Sequence, residues 1–370
     1  MRKITLLLVF CIFSMACSDD NETGNSGGDL KLTGTIMSPN NTFPISRATV
    51  KVSKDGTIIS QTTANALGQF EIDDLPHGNL TVELSKGKFR KEILIDMTAD
   101  YELQSAERNL DIFPSIAVVT GSYDHIEEVL INIGLVNPLT DEPLFDIIDG
   151  FDVNRPSSSD HHQGRTHHAG RAVSSMPSNV DFGFNDLLND PDLMDNYDII
   201  FLNCGASESL ANDPVATANL EAFVANGGII YATDWMFKYL QSSFDSEDYL
   251  TFAQPEKRGT SLSADAQVFN ADLLAWLQAQ GIDADPTVEI TDFISSWQMV
   301  DTFNSDNVMS WLVADVVYDN VSVSDKPLAF TFQHGQGGVF YSSFHTHGDD
   351  PSQDAIVQMM NYFVFELAAL

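Results

Sequence analysis

Four side chains that could do chemistry lie in the C-terminal half of the chain, each at or near the end of an apolar run: Cys204, Asp234, His345 and His347. A carboxylate and an imidazole can exchange protons with a substrate. A thiol attacks a substrate only when a base or a helix dipole lowers its pKa, and His345 is the candidate for that base. If the fold brings them together, these residues predict a hydrolase or a metal-assisted enzyme.

Each of these residues also has a structural interpretation. Cys204 suits a small buried residue at a strand end, because unpaired cysteines often serve only in packing. Asp234 suits the cap of a helix that begins one residue later, a position that aspartate prefers. His345 and His347 stand two residues apart on a predicted strand and share one face, where a polar rim is a simpler explanation than chelation.

A second concentration of metal-binding side chains lies in a polar segment, flanked by serines and a glycine: His161, His162, His167 and His168. Imidazoles at this density can capture zinc, nickel or copper without a preformed site. A divalent metal, zinc or nickel, is thus the cofactor that the sequence allows. The alternative is a surface loop whose histidines do not act together, because zinc ligands usually come as separated pairs.

The N-terminus predicts where the protein resides. Arg2 and Lys3 precede an apolar run, and small residues precede Cys17. The run is shorter than the roughly 20 helical residues that cross a bilayer, so residues 1–16 are a processing segment. The pattern resembles a bacterial lipoprotein signal peptide. This resemblance implies lipidation of Cys17, with two or three acyl chains that give a stable anchor.

Acidic residues follow the cysteine within residues 18–22, as in the signal that sends some lipoproteins to the outer face of the outer membrane. We therefore expect a lipid-anchored outer-membrane protein, at the cell surface or on the periplasmic face, whose lipid anchor makes the membrane its partner. A secreted protein cut after Ala16 is the alternative, and a solvated linker would also explain the acidic residues.

The composition indicates an exported, well-folded protein of more than one domain. The 370 residues are 43% hydrophobic, and the formal net charge is −35. This excess of carboxylates repels phosphate backbones and argues against nucleic acid as a partner. Cys11 leaves with the signal and Cys17 is lipidated, so Cys204 alone keeps a thiol and no disulfide within the chain is expected.

Residues 30–105 are predicted to form a small antiparallel β-sandwich after a flexible tether at residues 17–29. Four runs alternate apolar and polar side chains with period two: 30–36, 48–52, 68–72 and 80–84. Five segments resemble the carboxypeptidase regulatory-like domain: 34–36, 44–50, 62–64, 67–70 and 75–78. The resemblance implies a prealbumin-like sandwich that acts as a spacer or stabiliser and carries no catalysis.

From residue 112 to residue 370 the pattern changes to strands that alternate with helices. Apolar runs predict five strands: 115–120, 197–203, 228–233, 328–332 and 338–344. Helical spacing follows the first three, and Asp350 with Pro351 suggests the start of a last helix. We expect a doubly wound, flavodoxin-like α/β domain, in which ligands bind beyond the carboxyl ends of the strands.

Segments at these strand ends resemble the class I glutamine amidotransferase superfold, particularly its ThuA-like branch: 118–121 with His125, 198–203, 223–230 and 337–341. Residues 344–347 are similar to the Phe-His-Pro-Glu segment of amidotransferases. The resemblance implies that His345 takes the place of their catalytic histidine. Their nucleophilic cysteine is replaced, since Thr233 and Asp234 occupy the turn where it would lie. No glutaminase activity is therefore expected.

The sequence supports two functional hypotheses. The first, which we favour, is a non-catalytic binding or accessory module for carbohydrate or other cell-envelope ligands, because ThuA-like domains are associated with sugar metabolism. The second is the hydrolase or metal-assisted enzyme. An enzyme needs at least two of its candidate side chains within hydrogen-bond reach in a pocket, whereas a binder needs only a concave polar or aromatic surface. Four tryptophans are candidates to stack on sugars, although each also suits a core: Trp235, Trp276, Trp297 and Trp311.

Overall fold

The structure is a computed structural model, and it describes residues 28–151, 176–244, 246–291, 293–346 and 355–369. Some of the predicted functional residues lie outside these ranges: Cys17, His161, His162, His167, His168 and His347. The same holds for the predicted start of the last helix at Asp350 and Pro351.

The N-terminal domain consists of seven strands: β1 (Leu30–Thr35), β2 (Thr49–Lys54), β3 (Thr57–Thr63), β4 (Gln69–Leu75), β5 (Gly78–Lys86), β6 (Phe89–Met97) and β7 (Tyr101–Glu102). They form a sheet of order β4-β1-β7 and a sheet of order β3-β2-β5-β6. Along β5 every second side chain is buried, as the period-two pattern predicts. The pairings are antiparallel apart from the short parallel pair of β1 with β7.

Three of these strands were not predicted: β3 and β6, which form the edges of the four-stranded sheet, and the two-residue β7. Ile58 and Ile59 of β3 are adjacent and both exposed, so the alternation that marks a half-buried strand is lost there. In β6 the burial alternates but the residue types do not, because Lys91 is buried and Leu94 is exposed. The strand β7 is too short to show a period.

The C-terminal domain contains eleven strands and seven helices within the described residues. Its first part comprises β8 (Ile116–Val119), α1 (Ile126–Asn132), β9 (Asp146–Ile148), α2 (Phe184–Asn189), α3 (Pro191–Met194), β10 (Ile199–Leu202), α4 (Pro214–Ala225), β11 (Ile229–Thr233) and α5 (Phe237–Ser243). Its second part comprises β12 (Leu250–Phe252), β13 (Ala264–Val268), α6 (Ala271–Ala279), β14 (Thr287–Ile290), β15 (Val300–Phe303), β16 (Val308–Tyr318), β17 (Val321–His334), β18 (Gly337–Ser342) and α7 (Ala355–Leu367).

Nine of these strands form one sheet of order β14-β13-β16-β17-β18-β11-β10-β8-β9. The half from β9 to β18 is parallel, as expected for a doubly wound domain. From β18 to β14 all pairings are antiparallel, because the long hairpin of β16 and β17 extends the sheet without crossover helices. The sheet is therefore mixed, and only its parallel half follows the predicted pattern.

The parallel strands are buried on both faces, and successive side chains enter different cores. Ile199 and Phe201 of β10 belong to the core that includes side chains of α1 and α7. Ile200 and Leu202 belong to the core that includes side chains of α2, α4 and α5. This two-sided burial explains why the strands read as continuous apolar runs in the sequence.

The sandwich is packed firmly against the α/β domain. The ring of Phe89 lies 4.9 Å from that of Phe365, and the sandwich core is continuous with the core that contains α7. The guanidinium of Arg47 makes two hydrogen bonds to Asp272, at 2.8 and 2.7 Å. The sandwich and the α/β domain thus share a packed interface.

Within the ranges that the structure describes, none of the helices combines the length and the apolar character that crossing a membrane requires.

Candidate functional site

Three of the predicted site residues converge with one further side chain where four parallel strands end. Cys204 follows β10, Asp234 follows β11 and His345 follows β18. A fourth residue, Asp124, lies in the loop between β8 and α1. One potential ligand atom each of Asp124, Cys204 and His345 lies within 4.8 Å of the other two. The side chains of all four residues are completely buried.

Asp234 completes this group, which we call the strand-end cluster: Asp124, Cys204, Asp234 and His345. Asp234 Oδ2 lies 3.4 Å from His345 Nε2 and 3.9 Å from Cys204 Sγ. Strands β10 and β18 are separated by β11, so Cys204 and His345 meet across an intervening strand. Candidate side chains therefore converge as the enzyme hypothesis requires, but they are completely buried and line neither of the cavities described below. Among the residues that the structure describes, the pocket that this hypothesis also requires is thus not seen at the cluster.

Asp124 was missed by the sequence analysis, although it ties the cluster together. Its Oδ2 accepts hydrogen bonds from the Cys204 backbone N–H at 2.9 Å and from the Thr233 hydroxyl. Its Oδ1 accepts a hydrogen bond from the Thr346 N–H at 2.8 Å. One carboxyl group thus joins the ends of β10, β11 and β18. The available signal was its place in the first strand-to-helix loop of an α/β domain, where ligand sites are common.

Two glycines allow the loops to approach closely enough for this arrangement. A Cβ on Gly121 would lie 2.1 Å from the carbonyl oxygen of Cys204. Gly205 has a φ of +88°, and a Cβ there would lie 2.7 Å from the backbone nitrogen of Ser122. Larger residues at either position would push the β8 and β10 loops apart and separate Asp124 from Cys204.

Asp234 does not cap a helix, so that prediction is wrong. A 3₁₀ turn at Asp234–Met236 precedes α5, and Asp234 itself has a φ of +36°. Its Oδ1 accepts a hydrogen bond from the backbone N–H of Gln298 at 2.6 Å. A strained residue on a tight strand-to-helix turn is the geometry that presents the nucleophile in α/β-hydrolases.

Gln298 is a second residue that the sequence did not reveal. Its side chain is buried and donates hydrogen bonds to the carbonyls of Ala253 and Met299, at 3.0 and 3.1 Å. Its own carbonyl oxygen accepts hydrogen bonds from the hydroxyls of Tyr341 and Ser343, at 3.3 and 3.1 Å. These bonds fix the backbone N–H that holds Asp234, so Gln298 positions the carboxyl group. The role of Gln298 depends on contacts with residues distant in the chain, which the periodicity of the sequence does not show.

His345 lies beyond the end of its strand. The strand β18 ends at Ser342, earlier than predicted, and His345 is not part of it. The shared strand face that was expected for His345 and His347 is therefore wrong for His345. Its ring packs edge to face with the ring of Tyr123, with centroids 6.2 Å apart. The chain leaves the sheet at this point because Asp124 receives the N–H of Thr346.

Burial controls the electrostatics of the cluster. It raises the pKa of the Cys204 thiol, and the negative charges of Asp234 and Asp124 raise this pKa further. Burial also raises the pKa of the Asp234 carboxyl well above its usual range, while the hydrogen bond from the Gln298 N–H opposes the shift. Cys204 is thus a neutral thiol at neutral pH, which does not suit a nucleophile but does not prevent metal binding.

Two partly exposed aromatic rings stand beside the cluster. Tyr123 contacts Trp235 edge to face, with ring centroids 5.4 Å apart. The ammonium group of Lys257 lies 4.3 Å from the centre of a Trp235 ring and pairs with Glu208 at 2.5 Å. Trp235 is thus the one of the four tryptophans near the site. The others are core residues, as their alternative interpretation predicts: Trp276, Trp297 and Trp311.

Solved structures similar to this chain include two ThuA-like proteins. One, from Parabacteroides merdae, is 11% identical over 69% of this chain and 88% of its own, with a TM-score of 0.37. The other, from Bacteroides uniformis, is 10% identical over 69% of this chain and 91% of its own, also with a TM-score of 0.37. The α/β architecture of the C-terminal domain rests on the sheet order described above.

For the N-terminal part, a 5-hydroxyisourate hydrolase from Klebsiella pneumoniae is 21% identical over 20% of this chain and 85% of its own, with a TM-score of 0.18. A search of curated proteins found no match. Residues 31–105 match the family model of the carboxypeptidase regulatory-like domain. This match confirms the prediction made for the first domain, which is a carboxypeptidase regulatory-like domain.

Proposed function

We propose that the C-terminal domain is a metal-assisted enzyme of the hydrolytic type, whose metal binds at Asp124, Cys204 and His345. The observation that carries this proposal is the convergence of a carboxylate, a thiol and an imidazole within 4.8 Å. Each comes from a different strand end, so the fold and not a local motif creates the site. A carboxylate, a thiolate and an imidazole are all ligands of zinc.

The distances support a metal of the size of zinc. Zinc binds sulfur at about 2.3 Å and nitrogen or oxygen at about 2.0 to 2.2 Å, so tetrahedral ligand atoms lie roughly 3.3 to 3.8 Å from one another. The proposed ligand atoms of Asp124, Cys204 and His345 all lie within 4.8 Å of one another. This upper limit exceeds the tetrahedral spacing by about 1 Å. Modest movements of the side chains would therefore complete a coordination shell.

The charges support the binding of a cation. Asp124 is completely buried, and the burial of an ionised carboxyl group is unfavourable unless its charge is compensated. A divalent ion would compensate this charge and would displace the proton of the Cys204 thiol. Nickel also accepts these ligand types, so zinc and nickel are both consistent with the donor set.

The residues then have distinct tasks. Hydrogen bonds from Cys204 N–H, Thr346 N–H and the Thr233 hydroxyl orient Asp124, as outer contacts usually orient a metal ligand. Asp234 is placed to hold or move a proton at Oδ2, because its Oδ1 is fixed by Gln298 and its pKa is raised. A bound zinc ion would supply Lewis acidity and lower the pKa of water.

A cobalt titration of the mature chain tests the metal site. Cobalt bound by a thiolate gives a charge-transfer absorption band, which reports Cys204 directly. Cys204→Ser should remove the band and His345→Gln should weaken binding at least tenfold, as the loss of a ligand does. A variant with His161, His162, His167 and His168 all changed to glutamine is the matched control and should keep the band. If only this control loses binding, the histidine-rich segment holds the metal and the strand-end cluster does not.

Turnover tests the enzyme itself. Zinc-loaded protein should hydrolyse at least one of a p-nitrophenyl ester, phosphate ester or glycoside, and Asp234→Asn should remove turnover while zinc still binds. Metal binding without any metal-dependent turnover would contradict the enzyme proposal. It would favour the non-catalytic module for carbohydrate or cell-envelope ligands that the sequence suggested.

We propose the location that the sequence predicts for this enzyme. The support is the segment that ends at Cys17, followed by a polar tether to residue 29. A lipid on Cys17 would hold the protein at the outer membrane, and the sandwich would join the tether to the α/β domain.

A further inference from the structure

A cavity of about 330 Å³ lies between α5, β12 and β17, outside the strand-end cluster. Aromatic and aliphatic side chains form much of its wall, including Phe244, Leu250, Phe252 and Phe332. Its polar lining consists of neutral amides and hydroxyls such as Gln254 and Thr251, and all the side chains described along this wall are uncharged. A cavity of this size and lining suits a small, largely apolar molecule.

A second, more open cavity of about 550 Å³ adjoins the first. The two share Tyr249 and Phe332 in their walls. The lining of the second differs, because it contains the carboxylates of Asp248 and Asp306 together with the amide of Asn307. Both aspartates are exposed and carry negative charge into an open depression. The pair of cavities therefore changes from uncharged to anionic along its length.

Tyr249 gives the boundary between the cavities a fixed shape. Its ring stacks on Phe332 with centroids 4.2 Å apart and planes inclined by 25°. Its hydroxyl lies 3.1 Å from His334 Nδ1. The ring of Phe244 packs edge to face against Phe332 at 5.3 Å. Because Tyr249 and Phe332 are held in place and line both cavities, their rings can contact an aromatic ring of a ligand in the first cavity and a cationic group in the second.

We infer that these adjoining cavities bind a small molecule that carries an aromatic or other apolar ring and a positively charged amino group. The ring would occupy the uncharged cavity, where burial of apolar surface favours it. The amino group would lie in the open cavity, near Asp248, Asp306 and the Tyr249 ring. Charge complementarity commits the site to a cation, because an anion of the same size would meet two carboxylates.

This site is separate from the proposed metal site. The ring of Phe252, which lines the uncharged cavity, packs against Tyr341 at 5.4 Å. The hydroxyl of Tyr341 donates a hydrogen bond to the carbonyl oxygen of Asp234 at 3.2 Å on the far side. Two aromatic layers thus lie between the cavity and the cluster. Binding in the cavities does not depend on whether the cluster holds a metal.

Three probes share a phenyl ring and differ in charge, so they separate the contribution of the ring to binding from that of the charge: 2-phenylethylamine, 2-phenylethanol and 3-phenylpropionate. Calorimetry on the mature chain should show the amine binding most tightly, the alcohol more weakly and the carboxylate least. Asp306→Asn should weaken the amine about threefold to fivefold and leave the alcohol unchanged, as expected for the loss of one exposed charge. Asp192→Asn, a change at an exposed position on α3, is the matched control for the loss of one negative charge elsewhere on the surface. It should not change the affinity for the amine or for the alcohol.

A second variant blocks the uncharged cavity. Ser246 is exposed at its wall, so Ser246→Trp should fill the space without touching the core and should abolish binding of both the amine and the alcohol. The inference is overturned if none of the probes binds, if the carboxylate binds as tightly as the amine, or if Ser246→Trp binds the amine like the unaltered protein.

Discussion

The two domains bury different kinds of side chain, and the difference coincides with the place of the proposed chemistry. The sandwich buries mainly hydrocarbon, and its buried ammonium groups are paired: Lys86 with Glu366 at 2.7 Å and Lys91 with Asp111 at 2.5 Å. The α/β domain buries ionisable and polar groups together at its strand ends: Asp124, Glu127, Asn203, Cys204, Asp234, Gln298 and His345. Such groups cost free energy to bury, so a fold keeps them in one place when function requires it.

The polar network of the α/β domain also shows how that cost is reduced. Asn203 donates a hydrogen bond to the buried Glu127 at 3.1 Å, and Thr233 donates one to Asp124. Asp234 holds positive φ because Gln298, Tyr341 and the strand end fix it from several sides. The sandwich contains no equivalent network among its described residues; its alternating strands are sufficient for its stability. Four changes would break or sharpen this comparison.

Loss of the lipid anchor should have the largest effect and should leave both domains intact. With Cys17→Ala, the protein should move completely from the membrane fraction to the soluble fraction, because acyl chains provide the expected anchor. Cobalt binding at the strand-end cluster should be unchanged in the released protein. Fractionation after a high-salt wash measures the first result. A variant that still sediments with membranes would contradict the lipoprotein prediction.

Removal of a buried ring from the domain interface should cost the most stability. Phe89 is completely buried and lies 4.9 Å from Phe365, so Phe89→Ala should lower the free energy of unfolding by about 3 to 5 kcal/mol. Leu94→Ala on the same strand is the matched control, because Leu94 is 71% exposed, and it should cost under about 0.5 kcal/mol. Denaturant unfolding compares the two. Equal effects would mean that the sandwich is not packed against α7 in solution.

Removal of the buried carboxyl group of Asp234, on the turn after β11, should change the free energy of unfolding in the direction opposite to Phe89→Ala. The pKa of Asp234 is raised in the folded protein, so the folded state holds its proton more tightly than the unfolded chain does. The stability that this proton provides is lost as pH rises from the ordinary value of 3.8 towards the folded pKa.

Asp234→Asn lacks this titration. As pH rises across that window, the free energy of unfolding of this variant should therefore increase relative to that of the unaltered protein, by up to about 1.4 kcal/mol for each pH unit. Denaturant unfolding of metal-free protein between pH 4 and pH 8 measures the difference, with the exposed Asp192→Asn as control. A difference that stays constant with pH would mean that Asp234 is not protonated in the fold.

The sequence predicted these two regions unequally for physical reasons. Period-two alternation and the turn residues located four strands of the sandwich, and continuous apolar runs located β8, β10 and β11. Cys204, Asp234 and His345 were found because ligand sites lie at the ends of parallel strands. Asp124 and Gln298 were missed because their roles depend on contacts with residues distant in the chain, as in the bond from Gln298 N to Asp234. In the antiparallel half, the apolar runs located parts of β17 and β18, whereas β13, β14 and β16 were missed.

The smallest effect expected is none at all, and it concerns the hydrolysis of glutamine. In the class I amidotransferases that the sequence resembles, that reaction uses a thiolate held on the tight turn after the third strand and activated by a histidine. In this chain the turn carries Asp234 at positive φ, and Cys204 lies one strand away with a raised pKa. His345 Nε2 lies 3.4 Å from Asp234 Oδ2, so a carboxyl group stands beside this imidazole. The mature chain should release no ammonia from glutamine above the rate in buffer, and Cys204→Ser should leave this result unchanged. Turnover that disappears in both Cys204→Ser and His345→Ala would show that the thiol is a nucleophile after all, and the metal site would then have to be abandoned.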